Sequence, residues 1–215
     1  MDGISTSTLC IRADGLAMAR GGIVLADNIS FCLRAGEGLI VTGANGAGKS
    51  TLLRVIAGLL PAAAGRATLE GGGAEYETVA AASHYLGHQN ALKPALTVAE
   101  NLEFWRSFNG NGQLSVDEAL AQTGLLHTRD LPYAYLSTGQ KRRISIARLL
   151  LNLRPVWILD EPTAGLDAQS TTRFAAMMGE HLASGGILIA ATHAPLGLDG
   201  LKTLQIGAAA AVADS

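Results

Sequence analysis

The sequence predicts an α/β fold with a mostly parallel core sheet flanked by helices, N-terminal antiparallel strands and a small inserted helical subdomain. Two stretches near the N-terminus, Leu9–Leu16 and Ile23–Leu33, carry the short alternating apolar runs of antiparallel strands. Two helix-start signals follow in the middle of the chain, and little strand-forming sequence separates them. Continuous apolar runs typical of buried parallel strands lie at Gly38–Thr42, Val156–Leu159 and Ile187–Ala191.

Length and composition predict one domain over residues 1–215, with the helical subdomain at about 90–152 inserted into it. The chain is 48% hydrophobic and 16% charged, as globular proteins are. Its net charge of −2 argues against nucleic acid as a partner, because neutralising phosphates needs a basic face. No basic segment followed by an apolar run opens the sequence and no run of 18 apolar residues exists, so we expect neither a secretory signal nor a membrane span.

The first strands are separated by a turn at Gly21 and Gly22, since paired glycines favour tight hairpins. Arg66–Leu69 is a further short strand candidate, and Ser83–Gly87 another. The alanine-rich tail Gly207–Ser215 carries no pattern and is expected to be loosely ordered.

A glycine-rich loop between an apolar strand and a helical segment, Ser50–Leu60, predicts a phosphate-binding site. Backbone N–H groups of such a loop converge on an anion, and the following helix adds the positive end of its dipole. Lys49 would reach the β- and γ-phosphates, and the Ser50 hydroxyl would bind Mg²⁺. The structural alternative is a glycine-rich turn before an amphipathic helix. The predicted ATP-binding residues of the loop are Gly43, Ala44, Asn45, Gly46, Ala47, Gly48, Lys49, Ser50 and Thr51.

The predicted subdomain begins with two capping boxes. Thr97 and Glu100 open a helix at Val98–Phe108, and Ser115 opens a second at Val116–Thr123, with a glycine after it as the stop signal. The first helix carries three aromatic residues, Phe104, Trp105 and Phe108. They pack within the subdomain, or they belong to a docking surface for another protein.

Polar residues follow the two C-terminal buried strands, where the carboxyl ends of parallel strands meet. Asp160 is predicted to hold the Mg²⁺ that bridges the β- and γ-oxygens, and Glu161 to polarise the attacking water as general base. The alternative is that this carboxylate pair caps the next helix. His193 is predicted to contact the γ-phosphate, against the alternative of a structural histidine.

A helix at Lys141–Asn152 is predicted, with Ser137 as its N-cap. With Gly139, Ser137 would form a second anion site at a helix N-terminus. The motifs together resemble those of ABC-type ATPase subunits of the P-loop NTPase class, covering most of the chain. The matching stretches are Gly43–Thr51 for Walker A, Leu136–Gln140 (LSTGQ) for the LSGGQ signature, Val156–Glu161 for Walker B, Ala164–Asp167 for the D-loop and His193 for the switch histidine.

This resemblance implies a head-to-tail dimer of two copies. In such a dimer Ser137, Gly139 and Gln140 of one copy would close over the ATP bound by the other.

A narrower resemblance covers Tyr85–Trp105, Leu136–Leu151 and Trp157–Asp167. These stretches are similar to the family of ATP-binding subunits of the haem exporter of bacterial cytochrome c maturation. The resemblance implies integral membrane transporter subunits as partners and a peripheral position on the cytoplasmic side of the bacterial inner membrane, with membrane contact only through those partners. The residues leave three alternatives open: export of another substrate, a non-transport ABC ATPase acting on DNA or ribosomes, and a small-molecule phosphotransferase, which would leave LSTGQ unexplained.

The sequence departs from the superfamily pattern at two positions. Arg20 stands where many relatives carry an adenine-stacking aromatic residue; its guanidinium plane can also stack on a base, or it is a solvated turn arginine. Counting back from the first capping box puts His88 at the usual Q-loop glutamine position. Gln89 is nevertheless the predicted Mg²⁺ ligand, because an amide oxygen suits Mg²⁺ better than an imidazole does.

Overall fold

The computed structural model describes residues 9–89, 91–110, 112–207 and the backbone of 211–213. The chain divides into two compact units. The first contains the described residues up to Gly87, Arg154–Pro162 and those from Met177 onward, and the second contains His88–Leu153 and Thr163–Ala176. The predicted subdomain at about 90–152 falls within the second unit, and its status as an insertion into one domain stays a prediction.

The regular elements alternate between strands and helices along most of the chain. In order they are β1 (Cys10–Arg20), β2 (Ile23–Arg34), β3 (Gly38–Thr42), α1 (Lys49–Ile56), β4 (Ala64–Glu70), α2 (Val79–Ala82), β5 (Ser83–Leu86), α3 (Val98–Phe108), α4 (Val116–Gln122), α5 (Thr138–Leu151), β6 (Val156–Asp160), α6 (Ala168–Ala183), β7 (Ile187–Ala191), β8 (Lys202–Gln205) and β9 (Ala211–Ala213).

The first unit contains a three-stranded antiparallel sheet in the order β2-β1-β4. The predicted hairpin is present: Arg20 pairs with Ile23, and the two residues between them, Gly21 and Gly22, have φ of 59° and 79°. Left-handed conformations at both central positions match the twist of the flanking strands, and glycine adopts them without steric cost. The hairpin therefore holds Arg20 at a defined place at the end of β1.

The first unit also contains a six-stranded sheet in the order β5-β6-β7-β3-β8-β9. Its first five strands are parallel, as predicted, and β9 is antiparallel. β6 and β7 are buried at every position, as continuous apolar strands covered on both faces should be. Ala191 pairs with both Val41 and Asp160, so β3, β7 and β6 end side by side. The loops that follow these three strands start from one edge of the sheet.

Helix α1 is shorter than its apolar pattern predicts. It ends at Ile56, whereas the pattern continues to Leu60. Gly58 has φ 70°, its N–H donates to Val55 O at 3.1 Å, and the Leu59 N–H donates to Arg54 O at 2.8 Å. These are the two hydrogen bonds of a Schellman motif, which closes the last turn and ends the helix before Pro61.

The second unit is helical around its own core. Both predicted capping boxes are present: Thr97 with Glu100 opens α3, and Ser115 with Glu118 opens α4. Helix α5 begins at Thr138, three residues earlier than predicted, because Ser137 and Gln140 form a third capping box that starts the helix within the signature itself. The buried residues of this core are Val98, Leu102, Val116, Ala119, Leu120, Leu125, Tyr133, Leu136, Ile144, Ala147 and Leu151.

The tail differs in part from its expected loose order, because the backbone of Ala211–Ala213 pairs with β8. An exposed strand edge offers unpaired N–H and C=O groups, and pairing satisfies them whatever the side chains. Residues 208–210 and 214–215 of that prediction lie outside the described residues. In the described part of the chain, no helix combines the length and hydrophobicity needed to cross a membrane.

Candidate functional site

The glycine-rich loop begins where β3 ends and turns directly into α1. Gly43 passes so close to the chain after β8 that a Cβ there would lie 2.5 Å from Ile206 O. Gly48 precedes the helix with φ 102°, a conformation that side chains with a Cβ rarely adopt. No N-cap side chain covers the start of α1, so its first N–H groups are open to an anion.

Lys49 is the first residue of α1, and its side chain folds back over the loop. Its Nζ donates to Gly43 O at 2.7 Å and to Ala44 O at 3.0 Å, and the residue is only 9% exposed. An ammonium group has three N–H donors, so these bonds use two and leave one for a phosphate oxygen. Gly43 and Ala44 therefore act through their carbonyls, which position the lysine.

Ser50 and Asp160, 110 residues apart in the chain, are joined by a hydrogen bond. The Ser50 Oγ donates to Asp160 Oδ1 at 3.0 Å, and Asp160 is 4% exposed at the end of β6. A hydroxyl and a carboxylate are hard oxygen donors of the kind that Mg²⁺ prefers. The pair thus fits the ion for which the sequence predicts these two residues.

Two residues beside Asp160 are not predicted by the sequence. Arg54 Nε donates to the Tyr85 hydroxyl at 3.4 Å, which connects α1 to β5. Burial raises the pKa of Tyr85, and the Asp160 carboxylate acts in the same direction. The sequence around Tyr85 is an ordinary strand pattern and does not predict these interactions, because Arg54 and Asp160 belong to other elements.

Glu161 follows β6 in an unusual conformation. Its φ is 46°, which is uncommon for residues other than glycine, asparagine and aspartate, and its N–H donates to Ala191 O at 2.8 Å. Its Oε1 lies 3.9 Å from His193 Nε2, and the two side chains are 36% and 51% exposed respectively. The carboxylate and the imidazole are therefore close to each other and accessible to water.

One cavity of about 340 Å³ in the first unit brings most of the predicted residues together. Ala44 and Ala47 do not line it, and Gly43 contributes its carbonyl to Lys49 as described. Leu25 also lines it, although no pattern in the sequence marks this residue. The lining residues are Arg20, Leu25, Asn45, Gly46, Gly48, Lys49, Ser50, Thr51, Asp160, Glu161 and His193.

A second, smaller cavity of about 160 Å³ lies in the second unit at the start of α5. Gln140 N donates to Ser137 Oγ at 3.3 Å, and Ser137 N donates to Gln140 Oε1 at 2.9 Å. A Cβ on Gly139 would lie 3.0 Å from Gly165 O. The signature and the D-loop region are thus packed together, and Arg143 adds a cation that no motif in the sequence marks. The lining residues are Ser137, Gly139, Gln140, Arg143, Gly165, Leu166, Asp167 and Ser170.

Asp167 caps α6, because its Oδ1 accepts from Ser170 N at 2.7 Å. That hydrogen bond lowers the pKa of Asp167. Gln89, the predicted Mg²⁺ ligand, and its alternative His88 are both exposed and belong to the second unit. The choice between them stays a prediction.

The sequence model of the ABC transporter family matches residues 26–164, a range that contains the phosphate loop, the signature and Glu161. This chain belongs to the ABC transporter family. It is similar to the cytochrome c biogenesis ATP-binding export protein CcmA of Mesorhizobium japonicum, with 56% identity covering 92% of this chain and 98% of that protein. The protein of the same name from Nitrobacter winogradskyi is 52% identical and covers 93% and 99%. The chain thus belongs to the CcmA family within the ABC transporters, and it is an ATPase subunit that uses nucleotide.

Solved structures share the fold. A putative ABC transporter ATP-binding protein from Pyrococcus furiosus matches with a TM-score of 0.78 at 21% identity, covering 92% of this chain and 97% of that one. A dimeric ATP-binding cassette in a post-hydrolysis state, bound to ADP and Pi, matches with a TM-score of 0.77 at 23% identity, covering 91% and 94%. These likenesses concern the α/β architecture described above.

Proposed function

We propose that this chain hydrolyses ATP in the cavity of its first unit and that hydrolysis drives an export step in cytochrome c biogenesis. The observation that carries the catalytic part is the Ser50–Asp160 hydrogen bond beside Lys49 and Glu161. This bond joins the start of α1, which follows the phosphate loop, to the end of β6. A reaction at the γ-phosphate needs its charged groups at this place.

The start of α1, Lys49, Glu161 and His193 have separate roles in this proposal. The N–H groups at the start of α1 and the remaining Lys49 donor bind the phosphates. Glu161 accepts a proton from the attacking water, and His193 contacts the γ-phosphate. The 3.9 Å separation of these two side chains lets both face one phosphate and its water. Gln89 remains the proposed further Mg²⁺ ligand.

Ser50 and Asp160 would hold Mg²⁺ in this scheme. The ion, when bound, would neutralise charge on the β- and γ-phosphate oxygens. The direct hydrogen bond between the two side chains keeps their oxygens paired, so each is oriented by the other before any ion binds.

The active form is proposed to be a head-to-tail dimer of two copies. Ser137, Gly139 and Gln140 line a cavity of their own at the N-terminus of α5, and each copy therefore carries a phosphate loop and a separate signature cavity. A second copy would supply its signature cavity to the nucleotide held by the first. The post-hydrolysis cassette that shares this fold is dimeric, which supports the arrangement.

The cargo and partners are proposed from the relatives, which are named as ATP-binding export proteins of cytochrome c biogenesis. We assign haem as the exported molecule, separate integral membrane subunits as the partners, and the cytoplasmic side of the bacterial inner membrane as the location. Membrane contact would be made only through those subunits.

Copurification tests this proposal. The tagged chain, expressed in its native bacterium and extracted with mild detergent, should bring down multi-span membrane proteins, and the complex should show ATPase activity. A matched strain carrying Glu161→Gln should keep the complex but lose activity and c-type cytochromes. Recovery of DNA or ribosomes in place of membrane proteins would refute the transport role, and normal c-type cytochromes in the mutant strain would refute the haem assignment.

A further inference from the structure

The chain contains two cysteines, and both lie in the three-stranded sheet. Cys10 begins β1, and Cys32 lies near the end of β2. Cys10 pairs with Arg34, and Cys32 is the residue two positions before that arginine. Side chains two positions apart on a strand point to the same face, so the two cysteines are diagonal neighbours on one face of the sheet. Neither of them lines the nucleotide cavity.

The sulfur atoms of this pair are in contact. Cys10 Sγ lies 2.7 Å from Cys32 Sγ, with one thiol donating to the other. A disulfide bond is about 2.0 Å long, so bond formation requires the sulfurs to approach by only about 0.7 Å. Small changes in the side-chain torsions therefore suffice, and the strand pairing can stay as it is.

The two thiols differ in their access to solvent. Cys10 is 8% exposed, whereas Cys32 is half-buried, so a reagent in solution reaches Cys32 first. Burial and the hydrogen bond to Cys32 raise the pKa of Cys10 to about 11, which keeps Cys10 a thiol until the neighbouring sulfur reacts. Lys202 holds Cys32 in place, because its Nζ donates to the Cys32 carbonyl at 3.4 Å and to Glu37 Oε2 at 2.9 Å.

We propose that Cys10 and Cys32 form a reversible dithiol–disulfide site that exchanges with small disulfides such as glutathione disulfide. The Cys32 thiolate attacks one sulfur of the small disulfide, whose own bond breaks, and the released thiolate takes up the proton that Cys32 gave up. Cys10 then loses its proton and attacks the Cys32 sulfur, and the second small thiol leaves with that proton. The two cysteines lose two electrons, and the small disulfide gains them as it becomes two thiols.

The contact between the sulfurs favours closure of the protein disulfide over a second reaction with the reagent. Groups held in reacting positions behave as if their concentration were about 10⁵ M or more, far above that of any small disulfide in solution. A glutathione attached to Cys32 is therefore displaced by Cys10 before it accumulates. This chemistry does not depend on the proposed ATPase function.

Mass spectrometry of the intact, folded chain after treatment with glutathione disulfide tests the proposal. The wild type should lose two hydrogens, carry no glutathione and regain both thiols on reduction with dithiothreitol. In Cys10→Ser the accessible thiol has no second thiol beside it, so Cys32 should retain one glutathione. In Cys32→Ser the remaining thiol is buried, and it should react at least about tenfold more slowly than the thiol of Cys10→Ser.

A wild-type chain that stays fully reduced, or that ends with glutathione on either cysteine, would overturn the proposal. A disulfide between two chains, detected by non-reducing electrophoresis, would overturn it as well. Equal rates in the two single variants would contradict the order of attack. Circular dichroism shows whether each variant is folded, and the wild-type result decides the existence of the site even if a variant is not.

Discussion

His181 should make the stability of this protein depend on pH below about 6.5. Its ring stacks on Trp157 with centroids 4.3 Å apart and planes 12° apart, and its Nε2 lies 3.2 Å from Ile187 O. A carbonyl only accepts, so this nitrogen carries the hydrogen of the neutral ring. Burial lowers the pKa of His181 to about 4 from its ordinary value of 6.5.

The lowered pKa determines how the free energy of unfolding changes with pH. Above pH 6.5 the histidine is neutral in both states and contributes no pH dependence. Below 6.5 the unfolded chain binds a proton that the folded protein does not, so stability falls until the pH reaches about 4, where the slope ends. From about pH 7 to about pH 5 the free energy of unfolding falls by about 2 kcal/mol, at roughly 1.4 kcal/mol per pKa unit.

Two variants separate this effect from the titration of other groups. His181→Phe keeps an aromatic ring against Trp157, and His181→Gln keeps an N–H donor for Ile187 O; neither titrates. Urea unfolding of the wild type and both variants at each pH gives the free energies. We expect the wild type to lose about 2 kcal/mol more than either variant between these pH values. A parallel fall in all three proteins would refute the assignment of a buried neutral histidine.

Three further predictions concern catalysis, dimer formation and coupling to the membrane subunits. Glu161→Gln should keep nucleotide binding and lose about 10²–10⁴ in ATPase rate, the range for a general base, and near-normal hydrolysis by the purified variant would exclude that role. A mixture of Ser137→Arg chains with Lys49→Ala chains should recover ATP-dependent dimers, each with one intact composite site, by size-exclusion chromatography; dimers formed by Ser137→Arg alone would contradict the shared site. Gln89→Ala should uncouple ATPase activity from the membrane subunits while His88→Gln changes little, and the reverse ranking would assign the role to His88.

The predictability of an element here depends on how far apart its interacting residues lie in the chain. The capping boxes of α3 and α4 are determined by residues three positions apart, and the hairpin turn by two adjacent glycines. Such interactions act within a few residues, so a pattern in the sequence contains both partners. Even there, the predicted end of α1 is wrong, because the apolar pattern continues past Gly58, the glycine that closes the helix.

The phosphate loop could be predicted for the same reason, since its strand, glycines, lysine and helix are consecutive. The sequence alone also determined that Asp160, Glu161 and His193 follow buried strands. The pairing of Ser50 with Asp160, the approach of Glu161 to His193 and the Arg54–Tyr85 contact were decided by tertiary structure. Strand order is the physical cause: β7 lies between β6 and β3 in the sheet although β3 is far from both in the chain, and that order brings the three following loops to one edge.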